Sequence, residues 1–380
     1  LKLPSPRELS DNPQNITNMR AIPLSKCFLN DELKDAVRRA VESGQYILGP
    51  ESKAFEAELA AHTGTAHCVL GSSWTMIVFL LHQVMGLKPG DEVIVPSHTA
   101  FPTMEPLIHC GAKPVFIDID DTYCIDPDAI EAAITPRTVG IIPVHLYGHP
   151  ADMDRILAIG AKHKLWVMED CAQAQGAKYR GKRVGSISGL SAFSFYPSKN
   201  LTVLGDGGCV CSNDANLMGK LRMLRNHGRK DKYLHEIAGY NVRFNEIQAA
   251  AGRIGLKHLD ELNANRRKIA AHYNQRLQGI VQTPPQRPWA EPVYHMYVVR
   301  ASRRDDLAKF LKDHRIETGI HYPVPNHQQP AVTARFSGIP QLPRTEQAVK
   351  EILSLPIFGE MTIEEADLTC DAILNFYQKK

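Results

Sequence analysis

The sequence predicts an α/β fold: a large domain with a mostly parallel, mixed sheet between helices, followed by a smaller α+β C-terminal domain. Three observations predict it. Short apolar runs recur between Glu92 and Cys211, segments of helical period lie between them, and a Pro-rich patch at Thr283 to Pro292 sets off a different pattern beyond. Strands spaced by helices argue for a sheet covered on both faces.

In chain order, Asp31 to Ser43 and Ser52 to His62 read as amphipathic helices, with Gly44 and Gly64 as C-terminal stops. The expected strands are Glu92 to Val95, Pro114 to Ile119, Val139 to Val144, Leu165 to Met168, Leu190 to Phe195 and Gly208 to Cys211. Helical segments at Thr103 to Cys110, Asp126 to Ala133 and Met153 to His163 separate them. Asn245 to Gln278 reads as one long helix or two consecutive ones. Beyond the Pro-rich patch come a strand at Tyr294 to Arg300 and helices at Arg304 to His314, Thr345 to Ser354 and Thr362 to Gln378. The expected division is residues 1–256, N-terminal segment and large domain, and 257–380, small domain.

A chain of 380 residues is long enough for one large core and a smaller appended one. Net charge of +3 with mixed signs leaves no electrostatic footprint for nucleic acid. The basic cluster Arg225, Arg229, Lys230 and Lys232 reads as a solvated helix end or an attractor for a diphosphate. No apolar run reaches the roughly 18 residues of a membrane span, and Leu1 to Arg20 lacks the apolar core of a signal peptide. The 8 cysteines are scattered without zinc spacing, and Cys209 and Cys211 alternate on a strand as packing residues. No metal site is expected, and a cytoplasmic, reduced protein is the simplest account.

Chemistry concentrates in two places. Ser194-Phe195-Tyr196-Pro197-Ser198-Lys199-Asn200, then Gly205-Asp206-Gly207-Gly208, puts a lysine between an apolar strand and a glycine-rich turn. Burial lowers a lysine pKa and frees the neutral amine for Schiff-base chemistry. Upstream, Trp166 to Gly176 ends an apolar run in Glu169-Asp170 and a small-residue loop, the strand end where open α/β sheets bind ligands. Asp170 is either a helix N-cap or a carboxylate keeping a pyridine nitrogen protonated, with Gln173 in reach of the same ring. With Lys199 downstream, the second reading wins, and pyridoxal phosphate needs this pair. At an effective dielectric of 20 and about 4 Å, such a charge pair is worth roughly 4 kcal/mol.

The chain from about Ile22 onward resembles the DegT–DnrJ–StrS nucleotide-sugar aminotransferases, fold-type-I pyridoxal-phosphate enzymes. The resemblance rests on Ser72-Ser73-Trp74-Thr75, Pro89 to Pro96, Glu169 to Gln173, Ser194 to Gly208, Gly239 to Arg243 and His321-Tyr322-Pro323-Val324-Pro325, in that order and spacing. It implies Lys199 as the imine-forming and proton-moving residue and Asp170 as the ring-nitrogen partner. Ser73, Trp74 and Thr75, opening a helical stretch from Met76 to Met85, would bind the phosphate through amides and hydroxyl; for Ser73 and Thr75 the competing reading is N-capping. Ser194 is the family's other hydroxyl, and Asn241 matches a residue that reaches the phosphate from a neighbouring subunit. Arg243 meets substrate phosphates or pairs with a surface carboxylate, while His321 and Tyr322 line the sugar cleft or serve as loop structure. The implied enzyme is a homodimer with shared sites, passing an amino group through pyridoxamine phosphate from glutamate or glutamine to a keto-sugar, nucleotide-linked or free.

Two departures from the family pattern stand out. Position 74 is commonly Gly or Ala and here is Trp, and the aromatic that stacks on the pyridine ring is replaced in Thr99-Ala100. Either Phe101 or His98 substitutes, or the stacking contact is absent. The rival readings are a sugar dehydratase of the same fold, against which Lys199 stands because those relatives carry histidine there, and a cofactor-binding regulator without turnover. A dinucleotide oxidoreductase lacks its Gly-x-Gly-x-x-Gly after a strand.

Overall fold

The computed structural model describes residues 21–378; the expectation for Leu1 to Arg20 falls outside them. The first helices among the described residues are α1 (Asp31–Glu42), capped by Asn30, and α2 (Pro50–Thr63), which stops at Gly64 in the left-handed conformation (φ 86°) that glycine adopts without strain. Next come β1 (His67–Gly71), α3 (Trp74–Val84), β2 (Glu92–Pro96), α4 (Glu105–His109), β3 (Lys113–Ile117), the short α5 (Pro127–Ile130), β4 (Thr138–Ile141) and α6 (Met153–His163). Then follow β5 (Trp166–Val167), β6 (Glu169–Asp170), the hairpin β7 (Lys178–Tyr179) and β8 (Lys182–Arg183), β9 (Leu190–Ser194), β10 (Gly208–Ser212) and α7 (Ala215–Leu224).

The sheet runs β3-β2-β4-β5 and β6-β9-β10-β1, and β5 and β6 are consecutive pieces of one strand position. A parallel bridge from Val144 to Asp170 ties the halves together. β10 runs antiparallel to both β1 and β9, and the other pairings are parallel, so the sheet is mixed and mostly parallel as expected. Alternation along the strands divides the core. Val69, Val93, Val95 and Val210 pack on the α3 side, while Cys68, Leu70, Ile94, Cys209 and Cys211 pack on the other with Phe55 of α2. The two-residue period of a strand requires this split. Cys68, Cys209 and Cys211 are fully buried and bring their sulfur atoms together on β1 and β10.

α8 (Glu246–Arg276) is one continuous helix, resolving the choice left by the sequence, and position 256 falls within it. After it come β11 (Ala290–Glu291), β12 (Tyr297–Arg300), α9 (Arg304–Asp313), α10 (Pro330–Thr333), α11 (Pro343–Glu351), β13 (Ile352–Leu355) and α12 (Ile363–Gln378). A second core collects Ile22, Ile269 and Tyr273 of α8, Tyr297, Leu353 and Phe376. Ile22 pairs with Ile316, so the first described residues join this core.

Three expectations are corrected. The helix expected over Thr345 to Ser354 ends at Glu351, because Ile352–Leu355 pairs antiparallel with β12 from Arg300↔Ile352 to Tyr297↔Leu355 and buries every side chain. Pairing with a distant strand overrides local helical pattern there. The strand expected from Tyr294 begins only at Tyr297. Arg225 is no solvated helix end: it is buried, pairs with Glu56 at 2.6 Å and donates to the Leu70 carbonyl.

Candidate active site

A cleft of about 380 Å³ opens at the carboxyl ends of the parallel strands. Ser73, Trp74, Thr75, Asp170, Gln173, Ser194, Lys199, His321 and Tyr322 all line it, so most of the sequence-derived residues converge. Asn241 and Arg243 do not: Asn241 is exposed and accepts from Arg243 Nε at 3.0 Å, away from this chain's own cleft.

Lys199 follows β9 in a tight turn closed by its own N–H on the Tyr196 carbonyl at 2.8 Å. Burial pulls its ammonium down to about 8, with Asp170 acting in the opposite direction. Asp170 ends β6 almost wholly buried. Its oxygens accept from Ala172 N–H at 3.0 Å and from Thr103 Oγ1 at 2.9 Å. Burial raises its carboxyl above the usual range, while those donors and Lys199 pull the other way. A cationic partner in the cleft would favour the carboxylate further. The adjoining Glu169 turns away from the cleft. It is fully buried and accepts from Gly185 and Ser188 N–H at 2.7 and 2.8 Å and from His145 Nε2 at 3.0 Å. Burial works against its charge, yet His145 and these backbone donors hold its pKa below the ordinary value.

Ser73 caps α3 by accepting from Met76 N–H at 3.2 Å, so the capping reading holds for it. The amides of Trp74 and Thr75 then belong to the helix's first turn, which has no intrahelical acceptors, and the positive helix end they form borders the cleft, where an anion could be held. β10 meets this turn closely: a Cβ on Gly208 would lie 2.6 Å from the backbone N and Cα of Trp74. The glycine-rich turn therefore lets the strand pass beneath the helix start. Ser194 Oγ accepts from Tyr196 N–H at 3.3 Å at the same end.

Gln173 is fixed at both ends. Its Oε1 accepts from Tyr147 N–H at 2.8 Å and its Nε2 donates to Tyr322 Oη at 3.0 Å. Burial raises the Tyr322 hydroxyl to about 12 and lowers His321 to about 4, with Lys199 adding to the latter. Ala100 lines the cleft, but neither Phe101 nor His98 does; His98 is buried against Tyr147 instead, at 2.7 Å, so neither replaces a stacking ring. Among the lining residues the sequence did not single out are Thr103 and Met296, and Tyr147, outside the lining, holds two residues of it, Gln173 and His321. Leu146-Tyr147-Gly148 follows β4 at the same sheet end, and that placement was the available signal.

A lysine and a buried carboxylate facing one cleft, with a helix N-terminus beside them, fit pyridoxal phosphate, which takes an amine, a carboxylate for its ring nitrogen and donors for its phosphate. This is the class of site found in fold-type-I pyridoxal-phosphate enzymes. The model of the DegT/DnrJ/EryC1/StrS aminotransferase family matches residues 28–374, and the chain belongs to that family. It is 46% identical over 344 residues to the "Erythromycin biosynthesis sensory transduction protein EryC1" of Saccharopolyspora erythraea, covering 89% of this chain and 93% of that one. To the dTDP-3-amino-3,4,6-trideoxy-alpha-D-glucose transaminase of Streptomyces venezuelae it is 44% identical, covering 92% and 93%. The solved structure of S. venezuelae DesV in complex with a ketimine intermediate superposes with a TM-score of 0.92 at 42% identity, covering 95% of this chain and all of that one. Other solved neighbours are described in PLP and PMP forms.

Proposed function

We propose that this chain is a pyridoxal-phosphate-dependent aminotransferase that places an amino group on a nucleotide-linked keto-sugar, taking it from glutamate or glutamine. The convergence of Lys199 and Asp170 on one cleft carries the reading. The names of the transaminase relatives support the sugar class, and Lys199 argues against the dehydratase alternative. Pyridoxal phosphate, when bound, supplies a ring that draws electrons from the carbon whose proton and amino group are exchanged.

Lys199 is the residue that anchors the cofactor and then carries the proton at Nζ; its lowered pKa leaves part of the amine free near neutrality. Asp170 would hold the ring nitrogen, and Thr103 and Ala172 keep its carboxylate from rotating. Ser73, Trp74, Thr75 and Ser194 would hold the phosphate, with Asn241 donated by a second copy of the chain. Gln173 would flank the ring. Tyr322 and His321 close the cleft over the substrate, and Arg243, outside its own chain's cleft beside Asn241, would meet the substrate's phosphates in the second copy's site. The working unit in this reading is a cytoplasmic homodimer, divided within each chain near residue 256. Among the described residues no helix is long and apolar enough to cross a membrane.

The test is reconstitution with pyridoxal phosphate, borohydride reduction and peptide mapping. A pyridoxyl group on Lys199 is expected; its appearance on another lysine overturns the assignment. A thermal-shift screen with dTDP-, UDP-, GDP- and CMP-sugars and free sugars then identifies the substrate class. The names of two relatives favour a second reading, a cofactor-binding regulator. Under that reading the loaded protein would bind a sugar nucleotide and never convert with glutamate or glutamine.

A further inference from the structure

Tyr147 belongs to none of the groups assigned above, yet it touches both walls of the cleft. It sits in the turn after β4 with φ 58° and ψ 8°, a left-handed backbone that a bulky side chain adopts only when its surroundings impose it. Its backbone N–H donates to Gln173 Oε1 at 2.8 Å. Its hydroxyl lies 2.7 Å from His98 Nε2 and donates to the backbone carbonyl of His321. Nδ1 of His98 has no partner, and burial pushes that ring down to about 3, so it is neutral and Nε2 carries the proton. The order of donation is therefore His98 to Tyr147 to His321.

The far side of the cleft is anchored at its flanks, where Gly319 and Ser354 exchange backbone hydrogen bonds at 3.2 and 2.8 Å and Asn326 N–H donates to the Ser97 carbonyl at 3.1 Å. His321 Nδ1 lies 2.9 Å from Ser354 Oγ on β13, and Gln173 reaches Tyr322 at 3.0 Å. Farther along, Asn326 donates to the Thr99 carbonyl at 2.7 Å. Between these points the segment 321–325 is held down by the Tyr147 hydroxyl from below, while the same residue's amide orients the Gln173 side chain.

We propose that Tyr147 is a positioning residue that clasps the 321–325 segment to the sheet and so sets the height of the cleft above the cofactor bed; this rests on the aminotransferase reading of the site. The two arms of the clasp are separable. Tyr147→Phe removes the hydroxyl arm and leaves the amide that holds Gln173. A ligand that binds only beneath a closed roof pays for the fraction of time the roof is open, whereas a group bound at the helix end and at Lys199 does not.

The experiment is amide hydrogen exchange across residues 319–327 on the apoprotein, joined to cofactor and amino-donor titrations of the loaded enzyme. Tyr147→Phe is expected to speed exchange in that segment about tenfold, as loss of one buried hydrogen bond allows, while pyridoxal-phosphate affinity changes less than about twofold. In the conversion by L-glutamate or L-glutamine, followed by the cofactor spectrum, the half-saturating concentration should rise about tenfold with a maximal rate lowered about threefold or less. A role confined to structure would reduce the amount of folded enzyme without this split. Unchanged exchange and unchanged saturation overturn the clasp. Should Tyr147→Phe fail to fold, His98→Asn withdraws the support behind the hydroxyl and must show the same pattern at smaller size; an unaltered segment in that variant also overturns it. Failure of the wild-type protein to load pyridoxal phosphate would instead sink the aminotransferase reading, and the exchange result on apoprotein would still stand.

Discussion

Asp170 and Lys199 face one cavity from neighbouring parallel strands. Asp170 lies in register with Ala192 on β9, and β9 ends at Ser194, just before the loop that carries the lysine. The carboxylate favours the lysine's charged form, burial disfavours it, and burial wins. The amine is thus available close to neutral pH.

From that balance, capture of pyridoxal phosphate by apoprotein should quicken as pH rises and level off above about 8, because only the free amine attacks. Stopped-flow absorbance at several pH values checks it; a midpoint near the ordinary lysine value of about 10.4 would contradict the burial argument. Lys199→Ala should bind pyridoxamine phosphate, show no borohydride-stable attachment, and lose at least about 10²–10⁴ in turnover.

Asp170→Asn keeps the helix-end contacts but removes the negative charge from the ring side. At an effective dielectric of 20 the lost pair is worth up to about 4 kcal/mol, an upper bound of about 10³ in rate. Single-turnover conversion should slow while cofactor still binds at the helix end. Wild-type conversion by this variant would exclude the assigned role.

Glu169→Gln tests the neighbouring carboxylate, which serves the fold. An amide cannot accept from all the donors that converge on Glu169, so about 1–3 kcal/mol of stability should disappear in urea melts. Its pKa is depressed in the folded chain, so the stabilisation it gives is present above the unfolded-state value of about 4.3 and fades as pH falls through the folded one. Glu169→Gln should therefore flatten the acid limb of the stability profile, measured by urea melts from pH 7 downward.

Asn241 lies exposed and outside its own chain's cleft, which suits donation to a partner's site. Loss of a charge-assisted bond worth about 1.5–3 kcal/mol should weaken cofactor retention about tenfold or more in Asn241→Ala. Heterodimers of Lys199→Ala with Asn241→Ala would then hold one doubly damaged and one intact site, recovering about half of wild-type activity per dimer. No recovery in verified heterodimers would show that each chain serves itself.

Much of the site was readable because its residues sit in local patterns that depend on near neighbours. Lys199 and Ser194 flank a strand end, Ser73 caps the helix it precedes, and Gln173 closely follows Asp170. Thr103 and Tyr147 were not readable in this way. Thr103 meets Asp170 across 67 residues of chain, and Tyr147 meets His321 across 174. Such contacts exist only once the strands are stacked, and a hydroxyl in a sequence carries no mark of them. The same holds for β13, whose Ile352-Leu353-Ser354-Leu355 continues a helical rhythm until β12 claims it. Ala100 shows a further limit: the missing ring was visible in the sequence, but its neighbours' turning away from the cleft was not.

The thiols gathered on β1 and β10 give the protein a built-in reporter of its own opening. Cys27 and Cys110 are partly exposed, whereas Cys68, Cys124, Cys171, Cys209, Cys211 and Cys370 are buried. A maleimide added to native protein should therefore label in two kinetic classes, the slow class waiting on structural opening. Because Cys68, Cys209 and Cys211 share the β1–β10 pair on the face that packs against Phe55, opposite α3, their delayed labelling can be read by mass spectrometry without any cofactor or substrate. Slower labelling after pyridoxal phosphate is added would translate cofactor binding directly into a lifetime for the closed sheet.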